Sequence, residues 1–126
     1  MPIGKEVGSF TSTATSMTKG VNESGAHTFV MNVEGEVSGG WSGAVLGTIT
    51  ATSSDFKTGT YTATFAGYLE DGSVVSGDGS GALGAVGGHK WQLNGVALLS
   101  DGSRVATEGM LELSSRTYNG TMYEIT

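Results

Sequence analysis

Apolar and polar residues alternate with a period of two along most of this chain. Phe29, Met31, Val33 and Val37 alternate with Thr28, Asn32, Glu34 and Glu36. Tyr61, Ala63, Phe65 and Leu69 alternate with Thr60, Thr62, Thr64 and Tyr68. Trp91, Leu93, Ala97 and Leu99 alternate with Lys90, Gln92 and Asn94, while Val105, Leu111 and Leu113 alternate with Arg104, Glu108 and Glu112. Period two is the mark of a strand with one apolar and one wet face. It predicts strands near 9–18, 27–38, 43–53, 59–70, 73–83, 89–100, 103–114 and 117–125. Helices are excluded by the glycines, each costing about 1 kcal/mol against alanine inside a helix. The glycine-free runs 9–19 and 48–58 are rich in Ser and Thr, which suit strands and turns better.

The links between these strands are short and rich in turn formers. Asp71-Gly72 and Asp101-Gly102 are strong hairpin signals, and a two-residue type I′ turn with positive φ at both central residues is the expected geometry. Leu69-Glu70-Asp71-Gly72-Ser73-Val74-Val75 repeats thirty residues on as Leu99-Ser100-Asp101-Gly102-Ser103-Arg104-Val105. One repeat is too few for a solenoid, so it reads as two similar hairpins in one sheet. Strands of about ten residues with no helix to cover them would expose long edges, and closure removes those edges. The expected fold is all-β: one domain over residues 1–126, a closed antiparallel up-and-down barrel of about eight strands. A β-sandwich is the alternative. Glycines at 77, 79, 81, 95 and 109 fit strongly coiled strands at barrel corners.

Composition narrows the function classes. Net charge is −6, and the six basic residues are scattered, whereas phosphate-backbone binding needs a basic stripe. Neither nucleic acid nor a membrane surface is an expected partner. A lipid-facing barrel wall would carry Glu34, Glu36, Glu108 and Glu112, which is costly at mid-bilayer. With no cysteine there is no disulfide framework and no thiolate site. The first residues lack the apolar run of a signal peptide, so a cytoplasmic location is expected. On that expectation the sequons at Asn22 and Asn119 are chance matches.

Other motifs are weak. Gly79-Ser80-Gly81-Ala82-Leu83-Gly84 spells G-x-G-x-x-G, but the dinucleotide motif needs a helix to follow, and Gly87 and Gly88 forbid one. Asp78-Gly79-Ser80-Gly81 lacks the spaced carboxylates of a calcium loop. His27 and His89 lack the further ligands of a zinc site, so no metal and no cofactor are expected. Glu34, Glu36, Glu108 and Glu112 share parity with polar neighbours and point outward unless a bulge inverts them. Glu124 shares parity with Tyr118 and Met122, although Tyr123 and Ile125 compete for the same face.

The aromatic set on the apolar faces is core, pocket wall, or both. An eight-stranded barrel is just wide enough for one small ligand, and several inward positions are glycine, which leaves volume unfilled. Phe29, Met31, Phe65, Trp91 and Leu111 are the candidate ligand-binding residues. His89 and Glu124 are acid-base candidates at the barrel mouths, with Tyr61 and Tyr118 as hydrogen-bond donors.

The eight-strand meander spans the whole chain and contains Val33-Glu34-Gly35, Gly88-His89-Lys90-Trp91, Thr107-Glu108-Gly109 and Gly120-Thr121-Met122-Tyr123-Glu124. It resembles the small barrels of the allene-oxide-cyclase-like and dirigent-like group, and equally uncharacterised bacterial barrels of similar length. The resemblance carries no catalytic residue over. It implies an apolar cavity, sometimes used to fold and cyclise a reactive small molecule, often in a dimer or trimer. The expected function is therefore binding of a small apolar molecule in the barrel, with cyclase or isomerase action by substrate positioning. A non-enzymatic structural or protein-interaction module with a solid core is the alternative. A cavity above about 300 Å³ would favour the first.

Overall fold

A computed structural model, described here over residues 3–125, is a single closed antiparallel barrel. Its strands are β1 (Ile3–Val21), β2 (His27–Gly39), β3 (Gly43–Ser53), β4 (Thr58–Leu69), β5 (Val74–Gly87), β6 (Lys90–Leu99), β7 (Arg104–Glu112) and β8 (Thr117–Ile125). Each strand pairs with its sequence neighbour, and β1 closes the ring by pairing with β8. The largest departure from the predicted strands is β1, which runs well beyond 9–18 at both ends. Its first residues pair with β8 alone, Gly8–Thr13 pair with both β8 and β2, and the remainder pairs with β2. A register shift between Ala14 and Ser16 accommodates the extra length as a bulge.

Alternation sends one face of every strand into a common interior. Two clusters fill it. Met31, Val33, Ile49, Tyr61, Leu93 and Tyr118 form one, and Trp91 and Leu111 pack against it. Ala97, Leu99, Val105 and Met122 form the other, with Phe65, Val37 and Trp41 against it. Phe10 touches both. Glu34, Glu36 and Glu108 lie exposed on the outer wall, and Glu112 pairs with Lys90 at 3.3 Å.

Several of the inward glycines leave no empty space, because rings from other strands lie over them. A Cβ at Gly77 would sit 2.7 Å from the Phe65 ring tip, and one at Gly120 would sit 2.6 Å from that of Phe10. The Tyr118 ring covers Gly109, and the Tyr61 hydroxyl lies over Gly95. Other glycines permit close coiling: at Gly81, a Cβ would strike the β6 backbone at Asn94 and Gly95.

The two repeated tips are hairpin turns with identical bonding. The Gly72 N–H donates to the Leu69 carbonyl, and the Leu69 N–H donates to the Ser73 carbonyl; Gly102, Leu99 and Ser103 repeat the pattern. They are not type I′ turns. Only the glycines are left-handed, at φ 91° for Gly72 and 89° for Gly102, so each tip is a three-residue loop with a left-handed bulge glycine. The reason is the aspartate. The Asp71 carboxylate accepts the Ser73 N–H at 2.9 Å and the Ser73 hydroxyl at 2.6 Å, which holds its own backbone right-handed as an Asx-turn.

No atom lies within 4 Å of where a Gly72 Cβ would stand, so substitution there tests backbone strain alone. Gly72→Val is expected to destabilise the barrel by about 1 kcal/mol or more in urea melts. A change near zero would show that this residue is not held at positive φ.

Candidate functional site

The three links at one end of the barrel are 40–42, 70–73 and 100–103; at the other end lie 22–26, 54–57, 88–89 and 113–116. Each end is capped by an aromatic residue from a link. Trp41 caps the first, packed on the Leu99–Val105 cluster, with its indole N–H donating to Asp101 Oδ2 at 3.2 Å. Phe56 caps the second. It is held at φ 62°, stacked on His27 at 4.0 Å and edge-on to Phe29 at 6.0 Å. Its carbonyl accepts the Trp91 indole N–H at 3.0 Å.

Between Trp41 and the barrel's waist lies a cavity of about 120 Å³. Its position follows from register. Tyr61, Gly81, Gly95 and Thr107 form one inward row across β4 to β7, and the Tyr61 side chain spans it. Phe65, Gly77 and Leu99 form a second row, which the Phe65 ring covers. The row between them reads Ala63, Gly79, Ala97. It carries three small residues and no ring, and all three line the cavity. The remaining wall is largely carbon, from Val33, Val37, Phe65 and Trp41 among others.

Few polar side chains border this space. Ser12 is buried, and its hydroxyl is spent on the Tyr118 carbonyl at 2.5 Å. Tyr61 and Tyr118 line the cavity as well, both almost fully buried. Burial pushes the Tyr61 hydroxyl above its ordinary pKa, although a hydrogen bond with Thr107 opposes the shift. Tyr118 is pushed up much further, first by burial and then by the nearby Tyr61. Both are neutral phenols at physiological pH, able to donate a hydrogen bond but not to act as bases.

The structure brings together two of the four proposed catalytic residues, Tyr61 and Tyr118. His89 is an exposed turn residue at the Phe56 end, at φ 56°, a conformation that histidine tolerates better than most. Glu124 sits at the opposite end. It pairs with Val105 on the inward parity of β8 and packs against Gly4. The whole of β6 separates the two ends, on the order of 30 Å of extended chain, so His89 and Glu124 do not face one substrate. Of the proposed ligand wall, only Phe65 lines the cavity. Met31, Trp91 and Leu111 belong to the packed half, and Phe29 sits under Phe56. Trp41 was missed because it lies outside any strand; a lone Trp after Gly39-Gly40 was the available signal, since so large an apolar side chain must find cover. Among the described residues, no three His, Asp or Glu side chains converge as metal ligands.

The buried phenols make stability fall at alkaline pH. Above the ordinary value of 10.0 the unfolded chain ionises tyrosines that the folded barrel keeps protonated. Their contribution is complete below that pH and is lost as pH rises toward the folded values. Urea melts are expected to show a steep decline above pH 10 that is flattened in Tyr61→Phe/Tyr118→Phe. Identical slopes in the two proteins would contradict this placement.

No protein family matches the sequence, and no curated protein does. Solved structures share the fold. The chain is similar to a protein of unknown function from Clostridium acetobutylicum, with a TM-score of 0.81, 16% identity and all of both chains covered. It is also similar to a conserved protein of unknown function from Rhodopseudomonas palustris, with a TM-score of 0.80, 14% identity, and 100% and 99% of the two chains covered. At these identities the likeness establishes the barrel and nothing about chemistry.

Proposed function

We propose that the barrel binds one compact apolar molecule, about the size of a single six-membered ring, in the half beneath Trp41. It holds that molecule without making or breaking a bond. The carrying observation is the carbon-walled cavity of about 120 Å³. Apolar cavities near 150 Å³ stay dry and take up benzene or xenon, whereas drug-sized ligands occupy roughly 300 Å³ or more. The size argues for a narrower occupant than the cyclase-like resemblance implies. The chemistry argues the same way, because neutral phenols border the space with no ionised acid or base beside them.

The packed half of the interior, and a cavity volume below the about 300 Å³ expected of a ligand pocket, favour a second reading, a solid structural module, and one experiment separates the two. Toluene is titrated into the protein while Trp41 emission is followed, with Trp91→Phe removing the other indole. A saturable change is expected, with a Kd of roughly 0.1–1 mM for so small a ligand. Ala97→Leu places three more carbons in the gap, so it should abolish the change while the thermal melt stays cooperative. If toluene produces no saturable change, the binding reading fails and the solid module replaces it.

A further inference from the structure

The outer wall of the barrel is polar where β3 and β4 face solvent. Asn32, Thr48, Thr64 and Asp78 form one cross-strand row there, and Thr50, Thr62 and Ser80 form another. At β6 the same two rows turn apolar. Leu98 follows Asp78 and Val96 follows Ser80, and they stand 60% and 41% exposed. Arg104 of β7 follows Leu98, while Ala106 and Tyr123 continue the second row. Ile125 joins Val96, Leu98, Asp78 and Arg104 in lining one open groove. Single apolar residues scattered over a surface are ordinary. These are contiguous and bordered by polar groups, the arrangement that marks an interaction face.

Charge selects the occupant. Asp78 and Arg104 flank Leu98 on strands roughly 5 Å to either side of it. Among the described residues the one ion pair joins Lys90 to Glu112, so neither Asp78 nor Arg104 is ion-paired within one copy. We propose that this face binds a second copy of the chain about a two-fold axis running along β6. Such an axis sets Leu98 against the partner's Leu98 and Asp78 against the partner's Arg104, and symmetry repeats the ion pair in reverse. The two charges lining the groove cancel, whereas the whole chain carries −6. Two copies therefore meet here without the repulsion that their net charge imposes elsewhere. The other apolar patch of the outer wall, Leu46, Tyr68 and Val74, lacks this property. Glu34, Glu36 and Glu70 flank it, and a second copy would bring them no cation. The face lies outside the barrel, so its pairing is independent of the cavity.

The test is sedimentation velocity over about 10–500 μM protein, since so small a patch fits a weak interface with a Kd on the order of 10–100 μM. Wild type is expected to pass from monomer to dimer across that range. Asp78→Arg sets Arg against Arg, and Arg104→Asp sets Asp against Asp. Each variant alone should weaken dimerisation by about tenfold or more, while its thermal melt stays cooperative. Mixed in equal amounts, the two variants should recover a dimer, because every pair across the interface is then Arg with Asp. Wild type that stays monomeric at the highest concentration, or that assembles as trimers, overturns the proposal. A dimer of unchanged strength in both single variants overturns it too, since the contact would then lie elsewhere on the barrel. Mixed variants that stay monomeric would show that Asp78 and Arg104 do not meet across a two-fold axis, which overturns it as well.

Discussion

Everything in this barrel follows from how few large side chains its interior admits. Eight strands enclose a space only just wide enough for side chains to fill, so two rings cannot stand side by side at every level. The chain meets that limit by setting large rings against glycine: Phe65 over Gly77, Phe10 over Gly120 and Tyr118 over Gly109 on adjacent strands, with Tyr61 reaching across Gly81 so that its hydroxyl lies over Gly95 two strands away. Each glycine costs roughly 0.5–1 kcal/mol in conformational entropy relative to alanine. A buried aromatic side chain removes about 150–250 Å² from water, a gross gain of roughly 4–6 kcal/mol at 25 cal/mol/Å². The exchange favours the ring by a wide margin.

The same rule locates the cavity. Where a row of small residues has a ring above it, the interior is full; where it has none, at Ala63, Gly79 and Ala97, a gap remains. The gap is walled by carbon because most inward side chains at that level, among them Val33, Val37, Ala63, Phe65 and Ala97, are apolar. It is edged with hydroxyls because the rings spanning the waist are tyrosines rather than phenylalanines. Trp41 closes the space from outside the strands, tied to Asp101, whose carboxylate also holds Ser103 in the neighbouring hairpin tip. Packing, capping and candidate chemistry are therefore consequences of one steric constraint.

Much of the fold was legible in the sequence because a strand's face is a local property. Phe29-Thr28 or Trp91-Lys90 alternation needs no knowledge of partners, and the two Leu-x-Asp-Gly-Ser units announce their turns directly. The turn type was less legible, since it depended on the Asp71 and Asp101 side chains bonding to the following serines rather than on the Asp-Gly pair. The site was harder still. Tyr61 and Tyr118 were identifiable as inward polar residues. The position of the void, by contrast, depends on which ring lies beside which glycine, and that is set by cross-strand register. Counting inward glycines suggested an open interior lined by Trp91, Met31 and Leu111. Register shows those three packed, and places the gap one row from Tyr61.

The most direct test of the ring-over-glycine account is a double-mutant cycle at Gly109 and Tyr118, because all three atoms nearest to a Gly109 Cβ belong to the Tyr118 phenol. Gly109→Ala alone is expected to destabilise the barrel by about 1–3 kcal/mol through overpacking. In a Tyr118→Leu background, where the ring is gone, the same substitution should be close to neutral. A coupling energy of about 1 kcal/mol or more in urea melts would support the account. Equal costs for Gly109→Ala in both backgrounds would contradict it, because Gly109 would then be conserving backbone shape and not making room for a ring.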